Sequence, residues 1–80
     1  MSDNMKKIVG EYRNKMDVII NLESIGFISS ERAIKDSRKE MDDFDSLRLQ
    51  MFRYNLITET DFIETIGLAS KIWFDYFDKF

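Results

Sequence analysis

Cysteine, histidine and proline are absent from this chain, glycine occurs three times, and alanine appears only as Ala33 and Ala69. Without cysteine there is no disulfide framework and no thiolate chemistry, and without histidine the zinc-finger patterns cannot be written. The same two absences remove the common nucleophile–base pairs, so acid–base work would fall to carboxylates, lysine or tyrosine. Charge of one sign is also missing: 12 basic residues face 15 acidic ones, for a net charge of −3. A nucleic-acid binder normally carries a basic footprint, and a DNA mimic needs a denser field of carboxylates, so neither class is favoured. No apolar run reaches signal-peptide or membrane-spanning length, which points to a soluble, cytoplasmic protein with no membrane partner.

Eighty residues make one domain, 1–80, near the lower limit for a chain that builds its own core. Such a domain buries only around 60% of the surface its unfolded chain exposes. With disulfides and metals set aside, the reinforcement left is self-association or docking on a partner. What the chain does have in quantity is Phe, Tyr, Met, Ile, Asn and Lys. These residues have AT-rich codons, a bias shared by many bacteriophages and low-GC bacteria.

Two short segments punctuate the sequence in the same way. Gly26-Phe27-Ile28-Ser29 and Asn55-Leu56-Ile57-Thr58 each read as a residue tolerant of left-handed backbone, two apolar residues, then a helix N-cap. Asp61 stands three residues after Thr58, as in an acidic capping box, and Glu31 and Glu59 place negative charge in first turns. Three helices follow, over about 4–24, 30–54 and 59–79. At 100° per residue the first collects Met5, Ile8, Val9, Tyr12, Met16, Ile19 and Ile20 on one face. The second collects Ala33, Ile34, Met41, Phe44, Leu47, Met51, Phe52 and Tyr54. The third collects Phe62, Ile63, Ile66, Ala69, Trp73, Tyr76, Phe77 and Phe80. Short connections make consecutive helices antiparallel neighbours, which predicts an all-α, up-down-up three-helix bundle that self-associates.

Catalytic and metal sites find little support. Glu40, Asp42, Asp43 and Asp45 form the densest carboxylate group, but on a helix they point in different directions. An EF-hand starting at Asp43 fails because Arg48 falls where glycine is required. A di-iron site would need Glu-x-x-His. A helix-turn-helix reader set on Gly26 would place Arg32 where an apolar core residue belongs. No enzyme activity, metal or cofactor is expected. The basic first half of the second helix, Arg32, Lys35, Arg38 and Lys39, offers a phosphate-binding candidate. Its plainer reading is a salt-bridged surface through the i,i+4 pairs Glu31–Lys35, Arg38–Asp42 and Lys39–Asp43.

Three charges intrude on the apolar stripes. Glu40 and Arg48 lie about 40° either side of Phe44, and Glu23 falls within the first stripe. A charge entering a core must be paired or hydrogen-bonded. A turn near 56–57 sets Glu40 level with Trp73 and Arg48 level with Thr65, so that Glu40 could accept the Trp73 indole N–H; otherwise these charges face a subunit or ligand. The strongest binding signal is at the C-terminal end, where Trp73, Phe74, Tyr76, Phe77 and Phe80 crowd together. Ile72 and Phe74 widen the apolar arc to about 200°, more than one groove between helices needs. Leu68, Leu49, Val18 and Ile25 also fall outside their stripes. Aromatic residues are favoured interface anchors.

The expectation is therefore a non-catalytic interaction protein that self-associates or caps a partner protein through its third helix. The codon bias and small size suit a phage or mobile-element inhibitor that occludes a host protein's working surface. The alternative is an oligomeric bundle that sequesters a small nucleotide-like ligand, with Tyr12 or Tyr54 stacking on the base and the basic residues holding phosphate.

Overall fold

A computed structural model describes residues 1–78. They form α1 (Asp3–Ser24), α2 (Ser30–Arg53), α3 (Glu59–Glu64) and α4 (Leu68–Phe77), and no strand is found among them. The fold is an all-α bundle in which α3 and α4 together make one bent third arm. α2 packs against both other arms, and the bundle is elongated at 41 × 17 × 17 Å. Phe80 and the end of the expected third helix lie outside the described residues.

Local chemistry sets the helix limits. Ser2, Ser29 and Thr58 each accept a hydrogen bond from the backbone N–H three residues on, at 3.3, 3.1 and 3.0 Å. Gly26 at φ 77° and Asn55 at φ 59° end α1 and α2 in left-handed backbone. Each turn closes with the paired bonds of a Schellman motif. Phe27 N–H reaches Leu22 C=O at 2.9 Å and Gly26 N–H reaches Glu23 C=O at 3.0 Å. Leu56 N–H reaches Met51 C=O at 2.8 Å and Asn55 N–H reaches Phe52 C=O at 3.1 Å.

The third helix is not continuous as the periodicity predicts. It breaks at 65–67, where Gly67 adopts φ 77°. The ladder tightens there: Ile66 N–H bonds to Ile63 C=O and Leu68 N–H to Thr65 C=O. The Phe62 carbonyl thereby loses its usual i+4 donor. The Arg48 guanidinium supplies one at 2.7 Å, lies 4.3 Å over the Phe62 ring, and reaches Thr65 Oγ1 at 3.4 Å. Phe52 stacks on Phe62 at 4.4 Å, which completes the support of the bend.

The break also shifts register. Trp73 stands level with Ser37, not with Glu40, a displacement of three residues or about 4.5 Å along α2. Trp73 Nε1–H donates to Ser37 Oγ at 2.8 Å, and the Ser37 hydroxyl donates to Ile34 C=O at 2.9 Å. The expected Glu40–Trp73 bond is therefore replaced.

The core runs from Met5 through Tyr12 and Met16 on α1, by way of Phe44 and Met51 on α2, to Ile72, Trp73 and Phe77 on α4. Small residues make room for large ones: the fully buried Ser37 faces Trp73, and Tyr12 donates its phenol to the carbonyl of fully buried Ala69 at 2.8 Å. Leu47, Tyr54, Ile63 and Ile66 belong to the periodic stripes yet remain exposed. A third arm that bends and bears on α2 and part of α1 does not cover every residue of each stripe.

Candidate interaction surface

The crowded C-terminal aromatics divide between core and surface. Trp73 and Phe77 are buried and stacked, with ring centroids 5.2 Å apart and planes 18° apart. Arg38 lies over the Trp73 ring at 5.3 Å. Both rings therefore serve as core in this fold and present no free face to a partner. Tyr76 is half-buried, and its phenol pKa is raised by burial and by hydrogen bonding to Asp17, with Arg13 opposing. Phe74 is different: it meets Trp73 edge-on at 5.2 Å and keeps 59% of its surface exposed. On the same third arm Ile63 and Ile66 are exposed as well. Sequence reasoning set Ile63 and Ile66 in the core; the bend at 65–67 is the signal that would have moved them.

The basic candidates do not converge. Arg32 is held by Asp36 at 2.9 Å, and Arg38 is committed to Trp73. Lys35 and Lys39 have no ion-pair partner among the described residues, so Glu31–Lys35, Arg38–Asp42 and Lys39–Asp43 do not form there. The four lie within about 120° on one face of α2, and with two of them already engaged they form no phosphate cradle.

Each intruding charge has a structural partner. Glu23 accepts the Ser30 hydroxyl at 3.1 Å and ties the end of α1 to the start of α2. Glu40 pairs with Lys15 at 3.3 Å across the α1–α2 groove. Arg48, its side chain 11% exposed, supports the bend and sits 3.8 Å from Asp45.

Asp61 and Tyr12 are also perturbed acids. The Asp61 backbone N–H caps on Thr58 as the motif requires, but its carboxylate turns to α1 and not to the Thr58 N–H. It accepts Ser2 N–H at 2.8 Å and lies 3.8 Å from the Met1 ammonium. Hydrogen bonds from the Ser2 side chain and backbone hold its pKa below the usual carboxylate value. The Thr58–Asp61 spacing marks Asp61 in the sequence but gives no sign of this long-range contact. Burial pushes the Tyr12 phenol up to about 12, helped by the negative charges of Asp45, Asp42 and Glu40. A neutral phenol fixed on a backbone carbonyl is an architectural donor, poorly matched to proton transfer near neutral pH. Among the described residues no group of three or more carboxylates could hold a metal ion, and no helix is long and apolar enough to cross a membrane.

No protein-family model, no curated protein and no solved structure matches this chain.

Proposed function

We propose that this chain is a non-catalytic protein-interaction module, a small inhibitor of the phage or mobile-element kind that binds a host protein and occludes its working surface. One observation carries the reading. Among the described residues, eleven large apolar side chains stand exposed, against thirteen buried hydrophobic residues and nine partly buried ones packed on them, a large share in a domain with little core to spare. Contiguous exposed apolar area beyond a few hundred Å² marks interaction surfaces in stable proteins. Phe74 and Ile66 on the third arm are the leading anchors, since each is more than half exposed while Trp73 and Phe77 of the same arm are buried. Self-association through the same residues belongs to this proposal, because a second copy would bury them as a partner does.

The test compares capture of cellular protein by the wild-type chain and by an Ile66→Ser, Phe74→Ser variant. Both positions are exposed, so the variant should keep its helical circular dichroism. A stoichiometric partner retained by the wild type and lost by the variant supports the reading. Equal capture by both chains contradicts it.

A further inference from the structure

The third arm covers α1 and α2 on one side only. On the other side no residue of α3 or α4 lines the groove between them, which the Lys15–Glu40 bridge crosses between two hollows. Beneath it the buried rings of Tyr12 and Phe44 stack, 4.8 Å between centroids, and belong to the core. Val18 and Leu47 stand on its rim, 57% and 42% exposed. From Ile8 to Val18 the groove runs about 15 Å along α1, nearly three turns of a docked helix. The hollow beside Val18 holds about 290 Å³. A cavity of roughly 150 Å³ accommodates a benzene-sized group, so a large apolar side chain fits there.

Charge chooses the occupant. Three carboxylates line the groove, Glu11, Glu40 and Asp43, against the single ammonium of Lys15. Lys15 is engaged with Glu40. Glu11 and Asp43 have no ion-pair or hydrogen-bond partner among the described residues. Exposed Val18 and Leu47 with two unpaired carboxylates between them are the complement of an amphipathic helix with lysine or arginine beside its apolar stripe. We propose that the α1–α2 groove docks a basic amphipathic helix of a partner protein. Apolar side chains of that helix pack on Val18 towards one end of the groove and on Leu47 towards the other, and its cations reach Glu11 and Asp43. A second copy of this chain is a poorer occupant. Glu11 and Asp43 flank the Tyr12–Phe44 pair at one level, and a two-fold axis through the groove would set like carboxylates against each other. This surface lies on different helices from Ile66 and Phe74, so the inference extends beyond the function proposed above.

The probe is a fluorescent helical peptide of about 18 residues, with leucine at i, i+4, i+7 and i+11 and lysine flanking that stripe. A second peptide carries glutamate in place of each lysine. Fluorescence anisotropy against the full chain should show saturable binding of the lysine peptide and at least tenfold weaker binding of the glutamate peptide. Glu11→Gln with Asp43→Asn should weaken the lysine peptide about tenfold, and Leu47→Ala should weaken it as well. Ile66→Ser with Phe74→Ser should leave it unchanged, which separates this groove from the third-arm surface. No saturable binding, equal affinity for the two peptides, or indifference to the double charge variant would each overturn the proposal. A wild-type dimer that Leu47→Asp dissociates would assign the groove to a second copy and overturn it too.

Discussion

Ser37→Ala isolates the contact that fixes α4 against α2. Ser37 is fully buried, and its oxygen is the acceptor for the Trp73 indole N–H. Alanine removes that acceptor and leaves a buried donor unsatisfied, which costs about 1–3 kcal/mol. The bond from the Ser37 hydroxyl to Ile34 C=O is also lost, but that carbonyl lies within α2 and keeps its helical donor. Alanine is the better helix former and returns roughly 0.5 kcal/mol. The net expectation is a loss of about 1–2 kcal/mol, or about 4–8 °C in Tm for each kcal/mol in a domain of this size. Trp73 is the only tryptophan, so urea unfolding followed by its fluorescence, beside circular dichroism, reads the change directly. In a Trp73→Phe background, which has no indole N–H, Ser37→Ala should become close to neutral, giving a coupling of about 1 kcal/mol. Glu40→Gln should cost little, because Glu40 makes only a part-exposed bridge to Lys15. A Ser37→Ala chain as stable as wild type, with Glu40→Gln strongly destabilised, would return the indole to Glu40 and refute the register described here.

Three further outcomes follow from the bend and the N-terminal anchor. Arg48→Met should lose about 1–3 kcal/mol in urea melts, since the Phe62 carbonyl loses its short charged donor and keeps only the Thr65 hydroxyl at 3.3 Å, while packing on the ring survives. Arg48→Lys should fall between, because lysine keeps a donor but not the planar face. Gly67→Ala should cost about 1–2 kcal/mol although its Cβ meets nothing within 4 Å, because only the backbone at φ 77° is strained; unchanged stability would mean that the third arm can straighten. For Asp61, a folded pKa below its ordinary value of 3.8 means that its contribution is present above that pH and is lost as pH falls through the folded value. Thermal melts from pH 5 down to pH 2 should therefore slope less in Asp61→Asn than in wild type, and parallel curves would deny the Ser2 contact a role.

The limits of what can be read from this sequence follow the range of the interactions. Helix ends at Gly26, Ser29, Asn55 and Thr58 are local matters of backbone conformation and one side-chain oxygen, and all four are plain in the sequence. The break at Gly67 is not, because a lone glycine inside an apolar period reads as tolerated until Arg48, fourteen residues before Phe62 in sequence, is seen to hold the freed carbonyl. Register beyond the break inherits that blindness, which is why Glu40 and not Ser37 looks like the partner of Trp73. Periodicity identifies which face of a helix is apolar, not how much of it a neighbour covers, so Leu47, Tyr54, Ile63 and Ile66 could not be told from core. For the candidate surface, the marginal angular position of Phe74 was legible, whereas the packing of Trp73 and Phe77 depends on how α4 seats in the groove.

The central claim is that outward apolar residues of the third arm touch another protein. Placing a photo-crosslinking benzoylphenylalanine at position 74, and in a control chain at the exposed polar position 31, tests that contact in the cell. The account predicts a discrete protein adduct from position 74, of one heavier partner or of two copies of this chain, and none of comparable yield from position 31. Equal yields from both positions, or no adduct from position 74, would contradict it.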